Sequence, residues 1–600
     1  MVYGLESMVN GLWSTFCGLA LIAAILFLTV LGGGIFPGTV GIVAVLLSGL
    51  ACLISFRRPT SVSGPSVFPW IEVCASAIML FVLLTALPLP PSLDALSGTL
   101  RHEQNMAVVT ALQSAAQHGA PAPDGTPWFC LSRNRAGTLR AFLLLASAFS
   151  AAYLSASLSA RAKLGFLHAL AGVGASVGIA GYLAQWWIPQ GDTLWWFVPI
   201  PHAVTTPIGC FLNRNHFGGF VALICPVSVA LAARSFDRHK WFTALLHVIL
   251  AGVMIAAVFL SLSRGAMLAL GAGLVVTLLV IAFTHRLAWG IVLSFLVVAG
   301  ITAVLTASPA VRTRLEGIQD PSKIGSVQSR VAEWRETLRV WPHYPVIGAG
   351  ANALRTVYPQ FRQTSVSARL IHAENEYIQL LAEGGLVGGT LAAALIFTYR
   401  RRLREAALAV AVPPGVGIAI AGSLTVAGVH CFIDFPAHLP LYALVLAGLA
   451  GTTLIIPDAA STARRMLSAS PFVLALLATL LISLGRPNQM RTMDSADYLY
   501  TARYRDLHRA LVWAPTSAAW LYLGRAMYRE GALRSDGELC SEGERFITKA
   551  AELDPQNYRL WHELGETRQK LNDPGRAAEA FGQSHRLRSW MPGPTTPGGL

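Results

Sequence analysis

Arg369–Phe397 reads RLIHAENEYIQLLAEGGLVGGTLAAALIF. From Leu386 onward it is an apolar helix of the kind that crosses a bilayer, yet its head carries His372, Glu374, Asn375, Glu376, Gln379 and Glu383. The 4-3-4 spacing of His372, Glu376, Gln379 and Glu383 puts them on one stripe of a helix, about 16 Å long at roughly 1.5 Å per residue. Ionisable groups beside a membrane span are costly and face a cavity or a partner. The stripe therefore predicts one wall of a wet groove. A plainer role stays open for Glu374 and Glu376, which would suit the positive end of the helix dipole.

The composition agrees with a chain that lives in lipid. Of 600 residues, 54% are hydrophobic and 13% charged, against roughly 25% charged in a soluble domain, and the mean hydropathy is +0.54. The excess of basic residues, 45 against 31 acidic, does not call for nucleic acid, since basic residues collect in the cytoplasmic loops of membrane proteins. MVYGLESMVNG has no Lys or Arg before the first apolar run, which suits a retained first helix better than a signal peptide.

Thirteen apolar runs approach the roughly 20 residues that a span needs: 13–33, 36–56, 68–88, 139–159, 164–186, 216–235, 243–262, 265–284, 287–307, 376–398, 406–430, 438–456 and 468–485. The sum is an all-α polytopic membrane protein of about 12–13 transmembrane helices, occupying 1–490, with a soluble tail at 491–600. With a cytoplasmic N-terminus, the inner loops hold Arg57 and Arg58; Arg161 and Lys163; Arg234, Arg238 and Lys240; Arg286; Arg400, Arg401, Arg402 and Arg404; and Arg464 and Arg465. That is the positive-inside pattern. It leaves two long loops, 89–138 and 308–375, on the outer face together with the tail. The first is rich in Pro and small polar residues. The second holds SRVAEWRETLRVW, whose Val331, Trp334, Leu338 and Trp341 share one face that would lie on the membrane surface. Cys130, Cys210, Cys431 and Cys540 share that side, so a disulfide among them is open.

In the tail, WLYLGRAMYREG (Trp520, Leu523, Gly524) recurs as WHELGETRQKLN (Trp561, Leu564, Gly565). Trp, Leu-Gly, small residues and a closing Pro make a tetratricopeptide-like pattern, with 498–513 as a further helix of the stack; a generic helical hairpin is the plainer alternative.

Four polar clusters gather on the outer face: Asn213, Arg214, Asn215 and His216; Ser261, Ser263 and Arg264; the His372–Glu376 block; and His430, Asp434 and His438. Arginines can grip a diphosphate through paired hydrogen bonds. A histidine near neutral pKa can take a proton from a sugar hydroxyl. These are the parts of a sugar transfer from a lipid diphosphate. There is no DxD-like metal site, so arginine would supply the charge neutralisation.

FLNRNHFGGFVAL, LSLSRGAMLAL, RVAEWRETLRVWPHYPVIGAG, HAENEYIQLLAEGGLVG and HCFIDFPAHLPLYALVLAGLAG, in this order across 200–455, resemble the O-antigen ligase and Wzy-type polymerase family of bacterial envelopes. The resemblance implies a GT-C-like glycosyltransferase of the inner membrane, with neither metal nor cofactor and with a large periplasmic loop at 308–372. Its donor would be a glycan on undecaprenyl diphosphate. The acceptor would be lipid A-core for a ligase, a second lipid-linked glycan for a polymerase, or a protein. It implies that His372 is the catalytic base or orients the acceptor. Arg264 and one of Arg330 and Arg335 would bind the diphosphate, with Arg214 facing the cavity between Asn213 and Asn215. Asn375, Glu376 and Asp434 would support the cavity. The chain reads HAEN where many members read His-Asn or His-Ser-x, so Glu374 inherits no role. The tail would dock an envelope assembly protein. A transporter and a non-catalytic scaffold are the readings from other classes; polar groups gathered at one face, without inverted repeats, speak against the transporter.

Overall fold

The protein is described by a computed structural model covering residues 2–31, 37–57, 70–90, 99–117, 128–187, 193–194, 198–199, 208–284, 292–294, 296–302, 308–309, 325–363, 371–408, 414–454, 466, 469–478 and 504–589. The expectations for Arg58, Arg286, Arg464, Arg465 and the stretches 310–324 and 479–503 lie outside these residues.

The membrane part runs α1 (Val2–Val30), α2 (Pro37–Arg57), α3 (Trp70–Ala86), α4 (Thr99–Gln117), α5 (Arg135–Ala156), α6 (Ala160–Trp187), α7 (Arg214–Asp237), α8 (Trp241–Leu260), α9 (Arg264–Thr284), α10 (Gly325–Leu338), α11 (Leu354–Val357), α12 (Glu376–Leu408), α13 (Pro414–Ile433) and α14 (Pro440–Thr452). Among the described residues nine helices are long and apolar enough to cross a membrane. The other four runs of the thirteen appear as shorter apolar helices, Trp70–Ala86, Val292–Thr302, Pro440–Thr452 and Ala469–Ala478. The protein is all-helical apart from two-residue strand pairs such as Pro88–Leu89 with Phe129–Cys130.

α7 is the centre of the bundle. Its whole apolar window is buried, with α6, α8, α9 and α13 packed around it. Lipid tails are as apolar as leucine, so close contact between small residues carries helix association in a bilayer. Gly218, Gly219, Ala222, Ala230, Ala232 and Ala233 supply that contact and are all buried. At Gly219 it is obligatory: a Cβ there would sit 2.0 Å from the ring of His430. The glycine thus lets a histidine of α13 reach the start of α7.

The segment 89–138, read from its composition as a polar loop, contains α4. Val108, Val109, Leu112 and Ala115 of α4 are buried in one core with Leu511, Trp520, Leu523, Phe546 and Leu564 of the tail. The tail itself is α15 (Tyr504–Trp513), α16 (Ser517–Arg534), α17 (Gly537–Leu553), α18 (Tyr558–Lys570) and α19 (Pro574–Ser589). Thr516, Asp536 and Asn557 cap α16, α17 and α18 by accepting backbone N–H hydrogen bonds, as such side chains do at orphan helix starts. Arg362 donates to Asp554 Oδ1 at 3.0 Å, and both side chains are nearly buried, so the segment after α11 is also tied to the tail. Arg101 of α4 donates to the Gly348 carbonyl, and Arg133 donates to Asn105 Oδ1 at 2.6 Å. α4, the segment 325–363 and the tail therefore share one face of the protein, called here the tail face. All eight cysteines are free, so the disulfide left open above does not form.

Phe546 is fully buried where the tail meets α4. Phe546→Ala should cost about 3–5 kcal/mol and should lower the temperature at which the tail loses protection from protease, while the membrane part stays inserted. Equal protection in both proteins would show that α4 and the tail do not share a working core.

Candidate functional site

The site lies at the tail face, where α13 ends and Asp434–His438 turns back over the bundle. Asp434 is buried. Its carboxylate accepts the Phe435 N–H at 2.7 Å and lies 3.5 Å from His216 Nε2 and 3.7 Å from His430 Nε2. Burial alone would raise this carboxyl, but His216, His430 and the Phe435 N–H hold it below the ordinary aspartate range. Phe435 forms a platform beside it. His372 stacks on that ring with centroids 4.1 Å apart and planes 19° apart, and His216 meets it edge-on at 4.8 Å. Phe435 carries no chemical signal in the sequence, and none could have singled it out.

α12 begins at Glu376, so His372 precedes the helix and the predicted helical stripe starts one turn late. Asn375 is the reason. Its Oδ1 accepts from Tyr377 N at 3.0 Å and Ile378 N at 3.1 Å, and its Nδ2 donates to Phe432 O at 2.9 Å. It caps α12 and ties it to α13. His372 rejoins the stripe through Gln379, whose Oε1 accepts the Ala373 N–H at 3.0 Å. That bond sets which way the amide points. Its Nε2 then faces His372 Nδ1 at 3.1 Å, Glu383 Oε1 at 3.1 Å and His438 Nε2 at 3.2 Å.

Two amide hydrogens meet three neighbours, and charge decides among them. Burial would lower His438, but Glu376 at 2.8 Å and Glu383 at 3.9 Å raise it to about 10. As a cation its two ring nitrogens only donate. The Gln379 hydrogens therefore go to Glu383 and His372. Burial first, then the charges of His438 and His216, push His372 well below its ordinary value. It is neutral, and with Nδ1 accepting it carries its hydrogen on Nε2. His372 thus presents an N–H to the site.

Glu383 has a further task. It accepts from Asn352 N at 2.7 Å and Leu354 N at 3.0 Å. Just beyond it α12 breaks at Gly385, with φ +59°, a conformation that suits glycine. Leu386 N and Val387 N donate across the break to Pro345 O and Val346 O, both at 2.9 Å. The break admits 344–354 into the bundle.

Of the two α10 arginines, Arg330 reaches the cluster, donating to Ile433 O at 2.6 Å and to Glu374 Oε2 at 3.1 Å. Arg335 is exposed. α10 packs on α13 through Trp334 against Phe432, at 5.5 Å. Leu338 stays exposed, and Trp341 lies beyond the helix end with its ring N–H on Pro345 O. Only part of the predicted face is shared. Arg264 heads α9, and its neighbour Gly265 packs on Ile433, to which a Cβ would lie 2.9 Å away. Arg214 heads α7 two residues before His216, half-buried like Asn215. Asn213 caps α7 by accepting from Asn215 N at 2.8 Å. Glu376 holds the Ala437 N–H at 2.7 Å as well as His438. Among the described residues no three His, Cys, Asp or Glu side chains are grouped as a metal site requires.

The O-antigen ligase family model matches residues 249–393. This segment is an O-antigen ligase family domain. The chain is thus a multi-pass membrane protein that carries this domain, and the family suggests lipid-linked glycan substrates. No curated protein matches the chain. The O-antigen ligase domain holds Arg264, Arg330, His372, Glu374, Gln379 and Glu383, while Arg214, His216, His430, Asp434 and His438 come from flanking segments.

The raised His438 makes a signed prediction. Its ion pairs stabilise the fold fully below its unfolded value near 6.5, and that contribution is lost as pH rises through about 10. The melting temperature of the wild type should exceed that of Glu376→Gln at pH 6, and the gap should close by about pH 10. A gap unchanged over this range would refute a charged His438.

Proposed function

We propose that this protein is a membrane glycosyltransferase that moves a glycan from undecaprenyl diphosphate to an acceptor on the periplasmic face, with lipid A-core as the acceptor of an O-antigen ligase. The observation that carries this is the convergence of the His372 N–H, Asp434 and Arg330 at one end of α13, in and beside an O-antigen ligase domain. Arg330 and Arg264 would hold the diphosphate. The His372 Nε2–H would orient the acceptor rather than take its proton, because Gln379 occupies the ring's other nitrogen. Asn375, Glu376, Gln379 and Glu383 hold these groups in place.

The arginine-rich inner loops support a cytoplasmic N-terminus. The tail face would then be periplasmic in the bacterial inner membrane, with 1–490 as the transferase and 491–600 as a tetratricopeptide-like domain. Its two hairpins use their Leu-Gly pairs alike. Gly524 packs on Phe546 and Gly565 on Phe581. A Wzy-type polymerase shares the donor and differs in acceptor. The tail docked beside the site through Arg362 and Asp554 favours it, because helical repeats bind partners.

The test is a product assay on purified protein in nanodiscs, with a lipid-diphosphate glycan offered with and without lipid A-core. Product only on lipid A-core identifies the ligase; longer lipid-linked chains without it identify the polymerase. His372→Ala should lower transfer about 100-fold or more, as removal of a single preorganised donor does. Arg330→Ala should abolish donor binding, and Arg335→Ala should leave it near wild type. Wild type without turnover on any acceptor would sink the proposal.

A further inference from the structure

A transfer to a hydroxyl needs a proton acceptor, and His372 does not offer one: its Nδ1 is engaged by Gln379 and its Nε2 carries the hydrogen. The remaining carboxylates at the end of α13 are mostly committed. Asp434 is held by Phe435 N between two histidines. Glu376 holds His438 and the Ala437 N–H. Glu383 holds Gln379 and two backbone N–H groups.

Glu374 differs. Its carboxylate is partly open to solvent and is held by Arg330 Nη2 at 3.1 Å, the arginine assigned above to the donor. Its backbone is also special: φ is +52° at a residue with a Cβ, a region such residues rarely adopt and which clusters at functional sites. The Asn375 cap on one side and the Ala373–Gln379 bond on the other impose it. The chain thus places this carboxylate against local preference, beside a guanidinium that a diphosphate would claim.

We propose that Glu374 is the catalytic base of the transfer, paired with Arg330 in the resting protein and released when the donor diphosphate takes Arg330 from it. This rests on the glycosyltransferase function proposed above. A diphosphate outcompetes one carboxylate for a guanidinium by charge and by two-pronged geometry. The acceptor oxygen then bonds to the anomeric carbon as the bond from that carbon to the phosphate oxygen breaks. The electron pair leaves with undecaprenyl diphosphate, and the hydroxyl proton passes to Glu374. The charged groups facing Glu374 are Arg330, Glu333 and Asp434. Burial and then Asp434 raise its carboxyl to about 8 despite Arg330, a basicity matched to proton transfer near neutral pH.

The experiment uses the full chain in nanodiscs, measuring kcat, donor KM, the pH profile of kcat and direct binding of undecaprenyl diphosphate. Glu374→Gln should lower kcat about 100-fold or more, remove the acid limb of the pH profile and bind undecaprenyl diphosphate at least as tightly as wild type, since a competitor for Arg330 is gone. Glu374→Asp should recover part of kcat. Glu374→Gln with kcat within about threefold of wild type overturns the inference and leaves the transferase function standing. Loss of undecaprenyl diphosphate binding together with kcat also overturns it, because Glu374 would then be a structural support of Arg330. A wild type that transfers no glycan overturns both.

Discussion

The tail face depends on one amide. Gln379 accepts from Ala373 and has two hydrogens to give. The charge on His438 directs them to His372 and Glu383. One hydrogen sets the tautomer of His372. The other helps hold the carboxylate that pins Asn352 and Leu354 into the break in α12. A buried polar network of this kind specifies one arrangement only when its members are satisfied together. The position of the 344–354 segment and the protonation of the site histidine are therefore linked through a single side chain.

The second constraint is steric. α7 is surrounded by helices, and near its start α13 comes close where α7 lacks a side chain. Gly219 is that place, and it brings His430 toward the carboxylate that His216, three residues before Gly219 on α7, also faces. Packing small residues for close approach, which stabilises the bundle without a hydrophobic drive, thereby also assembles the histidines around Asp434. Fold and site share the same contact.

The third is the continuity of the tail with the site. α4 lies between the tail and the 344–348 segment, sharing a core with one and donating to the carbonyl of Gly348 in the other. Gly348 in turn abuts Gly385 at the α12 break. The tail is thus built onto the face that carries the cluster, and whatever binds it would bear on the segment that α12 admits.

Sequence alone determined that the chain is a helical membrane protein, because spans are written as uninterrupted apolar runs. It also determined that polarity collects at one face, since ionisable residues near lipid cannot be incidental. It left α4 unseen: Val108, Val109, Leu112 and Ala115 look weak until the tail covers them. It could not separate Arg330 from Arg335, because spacing along a helix does not say which face meets a neighbour. Nor could it say that His372 donates, that Asp434 lies between two histidines or that Phe435 is the platform between them. Those facts arise from contacts between segments far apart in the chain, and only tertiary packing sets distances between such segments, and with them hydrogen-bond direction and charge.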